Sequence, residues 1–218
     1  MVVIPGFLCP DAYLIPLRNW LTRIGYQTVY SGIRFNAECP NLLIQRQVNQ
    51  AIDKALEKTG RKVHLIGHSL GGIMAHAVAG QRSGDVASVT TLGAPLKGMV
   101  AHSTVLFAAE KLRHRIIRQH GSGVLPECYT ARCACDFANS VRRCLPPAVL
   151  QTAVFTEDDG VLDWRYCKTN QRSADFAVRG THIGLVFNPS VYKIIGDRLA
   201  KAASNLAGVP KVKAGRKG

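Results

Sequence analysis

The stretch VHLIGHSLGG, residues 63–72, decides the fold of this chain. Val63–Ile66 is a short apolar run rich in branched residues, which predicts a buried strand. It leads into the pattern G-x-S-x-G at residues 67–71, and a helix of small residues is predicted over Ile73–Gln81. A serine on a sharp strand-to-helix turn projects from the sheet into a cleft, and its crowded neighbours must be small. The pattern therefore predicts Ser69 as a nucleophile.

The same turn offers half of an oxyanion hole. The N–H of Leu70 lies at the predicted start of a helix, where partial positive charge gathers. A second donor is expected from residues 5–7, the loop after the first core strand, because Gly6 lets the backbone approach closely. We expect the N–H of Phe7 to pair with that of Leu70. The alternative for residues 5–7 is a plain turn.

Strand and helix patterns alternate along most of the chain. Strands are predicted at residues 2–4, 27–30, 63–66, 86–92, 151–156 and 176–178, and helices at 13–24, 42–58, 73–81, 100–120 and 189–206. This order predicts a three-layer α/β fold, with a mostly parallel sheet of about six strands between helices. We expect residues 1–208 to form one domain and the basic tail, residues 209–218, to be disordered.

The alternation stops between residues 96 and 147, which predicts a cap or lid insertion. Within it, residues 100–120 show helical spacing of apolar side chains, at Val105, Ala109, Leu112 and Ile116. We expect this apolar face to cover the active site. The opposite face is basic, through Lys111, Arg113, Arg115 and Arg118. It is interpreted as a solvated face, with weak contact to an anionic membrane surface as the alternative.

A serine nucleophile needs a base and a carboxylate that orients the base. Of the seven histidines, His182 alone follows a late strand, within GTHIG at residues 180–184. Four acids cluster after the preceding strand, and Asp159, in Asp-Gly-Val, fits the acid position best. Asp158 and Asp163 are the alternatives. The predicted order Ser69, Asp159, His182 is the order typical of α/β-hydrolases.

Five pieces together resemble a small bacterial lipase or esterase of the α/β-hydrolase superfamily. They are PGF (5–7), GHSLGG (67–72), LGAPLKG (92–98), DGVLDW (159–164) and GTHIG (180–184). The third piece is similar to the G-T-P-H-x-G stretch of triacylglycerol lipases. Two departures from the family are that Pro5 replaces a common histidine and that the chain begins at the strand before the oxyanion loop.

The resemblance implies a serine carboxylic-ester hydrolase that works through an acyl-enzyme and needs no metal or organic cofactor. An acyltransferase using the same triad is one alternative, and a non-catalytic module that binds lipid or a partner is another. The expected partner is a small-molecule or lipid ester. Acyl chain length depends on cap geometry, which the sequence leaves undetermined.

Bulk composition narrows the function classes further. The formal net charge is +14, but only 7% of the 218 residues are aromatic and they are not interleaved with the basic runs. Base-stacking platforms require such interleaving, so we expect no nucleic-acid binding. No signal peptide is visible, which predicts a cytoplasmic protein, or a secreted one if an upstream leader is missing.

Seven cysteines are present, and five of them lie between Cys128 and Cys167. The odd total leaves at least one thiol free if the others pair. Disulfides and reduced, buried thiols are both compatible with the spacing. A metal site is the weaker alternative because C-x4-C-x-C lacks the usual pairs of ligands.

Overall fold

A computed structural model describes residues 1–98, 101–121, 133–169 and 171–207. Within these residues six strands form one sheet in the order β2-β1-β3-β4-β5-β6, and every neighbouring pair is parallel. The strands are β1 (Val2–Ile4), β2 (Val29–Tyr30), β3 (Val63–His68), β4 (Val86–Leu92), β5 (Leu150–Phe155) and β6 (Asp175–Ala177). The predicted parallel sheet of about six strands is confirmed.

Helices cover both faces of the sheet. They are α1 (Ile15–Arg23), α2 (Pro40–Leu43), α3 (Asn49–Thr59), α4 (Leu70–Gln81), α5 (Ser103–His120), α6 (Asp136–Val141) and α7 (Pro189–Ala207). In the part of the chain that the structure describes, short 3₁₀-helices lie at Asp11–Leu14, Trp164–Cys167 and Ile183–Phe187, and a π-helical turn at Ile44–Val48 joins α2 to α3. Among the described residues, no helix is long and apolar enough to span a membrane.

Alternate side chains along a strand pack into two separate cores, one on each face of the sheet, because successive strand side chains point to opposite faces. In β1, Val2 and Ile4 pack into the core beneath α3 and α4, whereas Val3 packs into the core beneath α1 and α7. The central strands β3 and β4 are buried nearly throughout. Such continuous apolar strands are typical of a parallel sheet covered on both sides, and they hold the turn after β3 rigidly.

Several boundaries differ from the sequence prediction. Helix α4 begins at Leu70, three residues before the predicted start, although Gly71 and Gly72 are its next two residues. Packing of this helix between the sheet and its neighbours outweighs the low helix propensity of glycine. Helix α5 begins at Ser103 rather than at residue 100, because the His102 side chain caps it by accepting a hydrogen bond from the Thr104 N–H.

The segment between β4 and β5 carries helices α5 and α6 in its described part. The sequence pattern did not predict α6, which is a short helix of six residues packed against α4. Val105 and Ala109 of α5 line the same pocket as Ser69, and Ala109, Leu112 and Ile116 are buried. The predicted tail at residues 209–218 and Cys128 lie outside the described residues.

Candidate active site

Ser69 lies at the turn between β3 and α4, at φ 52° and ψ −123°. A positive φ is rare for a residue with a side chain and costs about 1–3 kcal/mol, so it persists only where the surroundings enforce it. Here the Ser69 N–H donates to the carbonyl oxygen of Leu92 at 2.8 Å, which anchors the turn to the next strand. The strained turn is what lifts the serine side chain out of the sheet.

Steric crowding by backbone atoms requires glycine at positions 67 and 71 of the motif. A Cβ on Gly67 would lie 2.2 Å from the carbonyl oxygen of Gly71, and a Cβ on Gly71 would lie 2.4 Å from the carbonyl oxygens of Ile4 and Pro5. Both distances are far inside van der Waals contact with rigid backbone. The pattern G-x-S-x-G is therefore dictated by the close approach of helix α4 to strands β1 and β3.

The predicted base and acid lie together. The Nδ1 atom of His182 is 2.8 Å from Oδ2 of Asp159, and each residue is 3% exposed. The other carboxylate oxygen, Oδ1, accepts the backbone N–H groups of Val161 and Leu162 at 3.1 and 2.9 Å. Because a carboxylate only accepts, the shared proton belongs to Nδ1 of His182, which leaves Nε2 with the free lone pair.

The two alternative acids lie elsewhere. Asp158 is exposed, and the carboxylate of Asp163 accepts from the backbone N–H and guanidinium of Arg165. The loops that carry Asp159 and His182 follow adjacent strands, β5 and β6. They are tied together by the hydroxyl of Thr156, which donates to the carbonyl oxygen of Gly180 at 2.8 Å.

Ser69 and His182 line one cavity of about 280 Å³. No hydrogen bond joins the Ser69 hydroxyl to the imidazole in the described part of the chain. Such bonds are often long before substrate binds and tighten in the Michaelis complex. The structure thus brings the three predicted catalytic side chains to one edge of the sheet, beyond the carboxyl ends of the strands.

The loop after β1 presses directly on the turn that carries Ser69. A Cβ on Gly6 would lie 2.9 Å from Nδ1 of His68 and 3.2 Å from Cβ of Ser69, so only glycine allows this approach. Phe7 and Leu70 both line pockets that contain Ser69. Leu70 is the first residue of α4, and the N–H of a first helical residue has no acceptor within its own helix. Both predicted oxyanion residues are thus beside the nucleophile.

Asn36 holds that loop in place, a role the sequence reasoning missed. It is fully buried, and its side-chain amide donates to the carbonyl oxygen of Pro5 at 2.8 Å. Its backbone accepts from the N–H of Leu8 and donates to the carbonyl oxygen of Cys9. An asparagine in a loop predicts a turn, so no local signal pointed to this contact.

His68 is a second residue whose role the sequence reasoning missed. It is 2% exposed, with Nε2 3.0 Å from the carbonyl oxygen of His182 and Nδ1 3.3 Å from the hydroxyl of Tyr13. A carbonyl only accepts, so Nε2 carries the proton and Nδ1 accepts from Tyr13. Burial, with the neighbouring imidazole of His182, lowers the pKa of His68 to about 3. His68 is therefore a neutral bridge between the loop that carries His182 and the segment before α1.

The thiols give no sign of a metal centre in the described residues, where no group of three histidines, cysteines or acids could hold an ion. Cys167 is buried behind the acid loop, and burial, with nearby Asp159 and Asp163, raises its pKa to about 12. Cys9, Cys144 and Cys167 carry free thiols. Pairing among the remaining cysteines stays a prediction.

Comparison with known proteins agrees with this architecture. A family model described as the alpha/beta hydrolase fold matches residues 32–116, whereas no curated protein matches the sequence significantly. One similar solved structure comes from work on LipS and LipT, two metagenome-derived lipolytic enzymes, with a TM-score of 0.59 and 15% identity over 93% of this chain and 92% of that chain.

Two further structures are similar over most of their length. A structure from work on carboxylesterases of the thaumarchaeon Nitrososphaera gargenis has a TM-score of 0.60 and 17% identity, covering 94% of this chain and 90% of that chain. The monoacylglycerol lipase of Paleococcus ferrophilus has a TM-score of 0.54 and 14% identity, covering 94% and 93%. The chain has the α/β-hydrolase fold, as its motifs predict.

Proposed function

We propose that the protein is a serine hydrolase of carboxylic esters that works through an acyl-enzyme on Ser69. The observation that carries the proposal is the buried pair of His182 and Asp159, joined at 2.8 Å, on the cavity that Ser69 also lines. The structural neighbours named as lipolytic enzymes, carboxylesterases and a monoacylglycerol lipase support an ester as the substrate.

The first half of the reaction acylates the enzyme. Ser69 Oγ attacks the ester carbonyl carbon while Nε2 of His182 takes the hydroxyl proton. Asp159 holds the other imidazole proton on Nδ1 and stabilises the imidazolium that forms. The N–H groups of Phe7 and Leu70 stabilise the oxyanion. The carbon–oxygen bond to the alcohol then breaks, and His182 returns the proton to the departing alcohol oxygen.

The second half releases the acid. Water attacks the acyl carbon while Nε2 of His182 again takes a proton, and the same two N–H groups hold the oxyanion. Collapse frees the carboxylic acid and restores the Ser69 hydroxyl. One ester and one water thus give one acid and one alcohol, and each proton passes through His182.

A fluorophosphonate probe and an ester assay test the proposal. Wild-type protein should react with the probe and hydrolyse p-nitrophenyl acetate, whereas Ser69→Ala should do neither, with a loss of about 10⁶-fold in kcat. Ser204→Ala is the matched control, because Ser204 is an exposed residue on α7 far along the chain from the site. Equal labelling of wild type and Ser69→Ala would refute the catalytic assignment.

A further inference from the structure

We propose that Ser69 stands between two subsites of unequal size and that the narrow one receives the acyl chain. The enzyme then prefers esters of short-chain acids and tolerates larger alcohols. This inference rests on the proposed ester hydrolysis and adds the substrate class to it.

The narrow subsite is a pocket of about 40 Å³ that opens at Ser69 and Leu70. Apart from the Ser69 hydroxyl, the side chains that line it are apolar. They include Phe7, Ile73, Pro95, Ala101, Ala109 and Leu162. A pocket without a polar partner favours an alkyl group, because a polar group would lose its hydrogen bonds to water there.

The wide subsite is the cavity of about 280 Å³ that also contains Ser69. His182 lines this cavity and does not line the narrow pocket. Its lining is mostly apolar, with Ile183 among the apolar residues and Cys9 and Thr104 among the others. It therefore suits a larger, mainly apolar group.

The position of His182 assigns the two subsites. The departing alcohol must receive its proton from His182, so it has to lie on the side of Ser69 where the imidazole is. Water enters from that side for the second half of the reaction. The acyl chain remains bonded to Ser69 during both steps, which leaves the narrow pocket for it. Of the two expected oxyanion donors, Leu70 borders only the narrow pocket and Phe7 borders both cavities, so a bound carbonyl group would lie where they meet.

The volume of the narrow pocket limits the chain. The narrow pocket offers about 40 Å³, against about 280 Å³ in the wide cavity, so it has room for a much smaller group. Ile73 on α4 and Ala109 on α5 are both buried, so a longer chain would have to displace packed core side chains.

An acyl-chain series tests the assignment, with the leaving group held constant. We expect kcat/KM for p-nitrophenyl esters to rise from acetyl to butyryl and to fall at least about 10-fold from butyryl to octanoyl, measured below the concentration at which the long ester aggregates. Acetate esters of increasingly long alcohols should vary much less. Octanoyl esters hydrolysed as well as butyryl esters by the wild type would overturn the inference.

Two matched deletions test the subsites separately. Ile73→Ala should raise the octanoyl-to-butyryl ratio of kcat/KM about 10-fold, because it extends the narrow pocket. Ile183→Ala removes the same atoms from the wide cavity and should leave that ratio unchanged while altering the dependence on the alcohol. The opposite pattern would exchange the two subsites and refute the assignment.

A substitution that reduces the volume of the narrow pocket provides a second test if Ile73→Ala does not fold. Ala109→Val should lower kcat/KM for butyryl relative to acetyl esters, and an unchanged ratio would count against the narrow pocket.

The two proposals, ester hydrolysis by Ser69 and the narrow acyl subsite, fail differently in these assays. Hydrolysis that depends on Ser69 but shows no chain-length limit contradicts only the subsite, whereas no Ser69-dependent hydrolysis of any ester contradicts the proposed function.

Discussion

Replacement of Asp159 by asparagine tests the proposed triad most sharply, because the surrounding backbone fixes how the new side chain must sit. Oδ1 accepts two N–H groups, from Val161 and Leu162, at 3.1 and 2.9 Å. Only the oxygen of an amide can accept these bonds, so the amide NH₂ is forced toward His182. It then donates to Nδ1, and the imidazole proton moves to Nε2.

In that tautomer His182 has no lone pair for the serine proton. Loss of the correct tautomer in a serine protease triad lowers kcat by about 10⁴-fold, and we expect a loss of that order here. It corresponds to about 5.5 kcal/mol of transition-state stabilisation, at 1.36 kcal/mol for each factor of ten. The side chain keeps its size, so the fold should be retained.

The assay is steady-state hydrolysis of p-nitrophenyl acetate, with circular dichroism to verify folding. Asp158→Asn is the matched control, because the neighbouring carboxylate is exposed and does not contact His182. It should stay within about threefold of wild type, as expected for a surface change. A folded Asp159→Asn variant with activity within tenfold of wild type would refute the assignment of the acid. So would an equal loss in Asp158→Asn.

Three further predictions concern the frame of the site. Gly67→Ala should destabilise the protein by about 1–3 kcal/mol in urea unfolding, because its Cβ would meet the Gly71 carbonyl, whereas Gly84→Ala, with open space around it, should unfold like wild type. Asn36→Leu should lower kcat/KM by tenfold or more while p-nitrophenyl acetate remains a substrate, because the Pro5 carbonyl loses its buried donor and the loop that carries Phe7 loosens. An unchanged kcat/KM would contradict this role. Burial lowers the pKa values of His64, His68 and His76 well below the ordinary value of about 6.5. As the pH falls from about 6.5 toward 4, the unfolded chain therefore binds protons that the folded chain does not, and each of these histidines should lower the free energy of unfolding by on the order of 2 kcal/mol between pH 7 and pH 5. Urea titrations at the two pH values measure this loss, and equal free energies of unfolding would contradict it.

Local sequence was sufficient for the six strands of the described sheet and for the turn that carries Ser69. The alternation of apolar runs predicted all six strands, because a covered parallel strand needs a continuous apolar run. The G-x-S-x-G pattern identified the turn at Ser69, because the crowding that forbids side chains at Gly67 and Gly71 acts within one strand, one turn and one helix. Constraints of this kind act between residues close in the chain, so a local sequence pattern reveals them.

The motifs narrowed the base and acid without choosing between adjacent carboxylates. Asp158 and Asp159 are neighbours in the chain, yet only Asp159 is buried against His182. Which of them turns inward depends on the path of the loop after β5 and on its tie to the loop after β6. The choice depends on a contact between segments more than 20 residues apart in the chain, so the local pattern could favour Asp159 but could not decide between the two carboxylates.

Tertiary structure alone decided the support and the shape of the site. The bonds from His68 to the His182 loop and to Tyr13, and from Asn36 to Pro5, join residues that are 31 to 114 positions apart. The width of the pocket beside Ser69 likewise depends on how closely α4 and α5 approach each other, because residues of both helices line it. Sequence determines where an apolar face lies, because periodicity is local. The distance between two such faces is set by the packing of the whole core, and under our proposal it is this distance that limits the acyl chain.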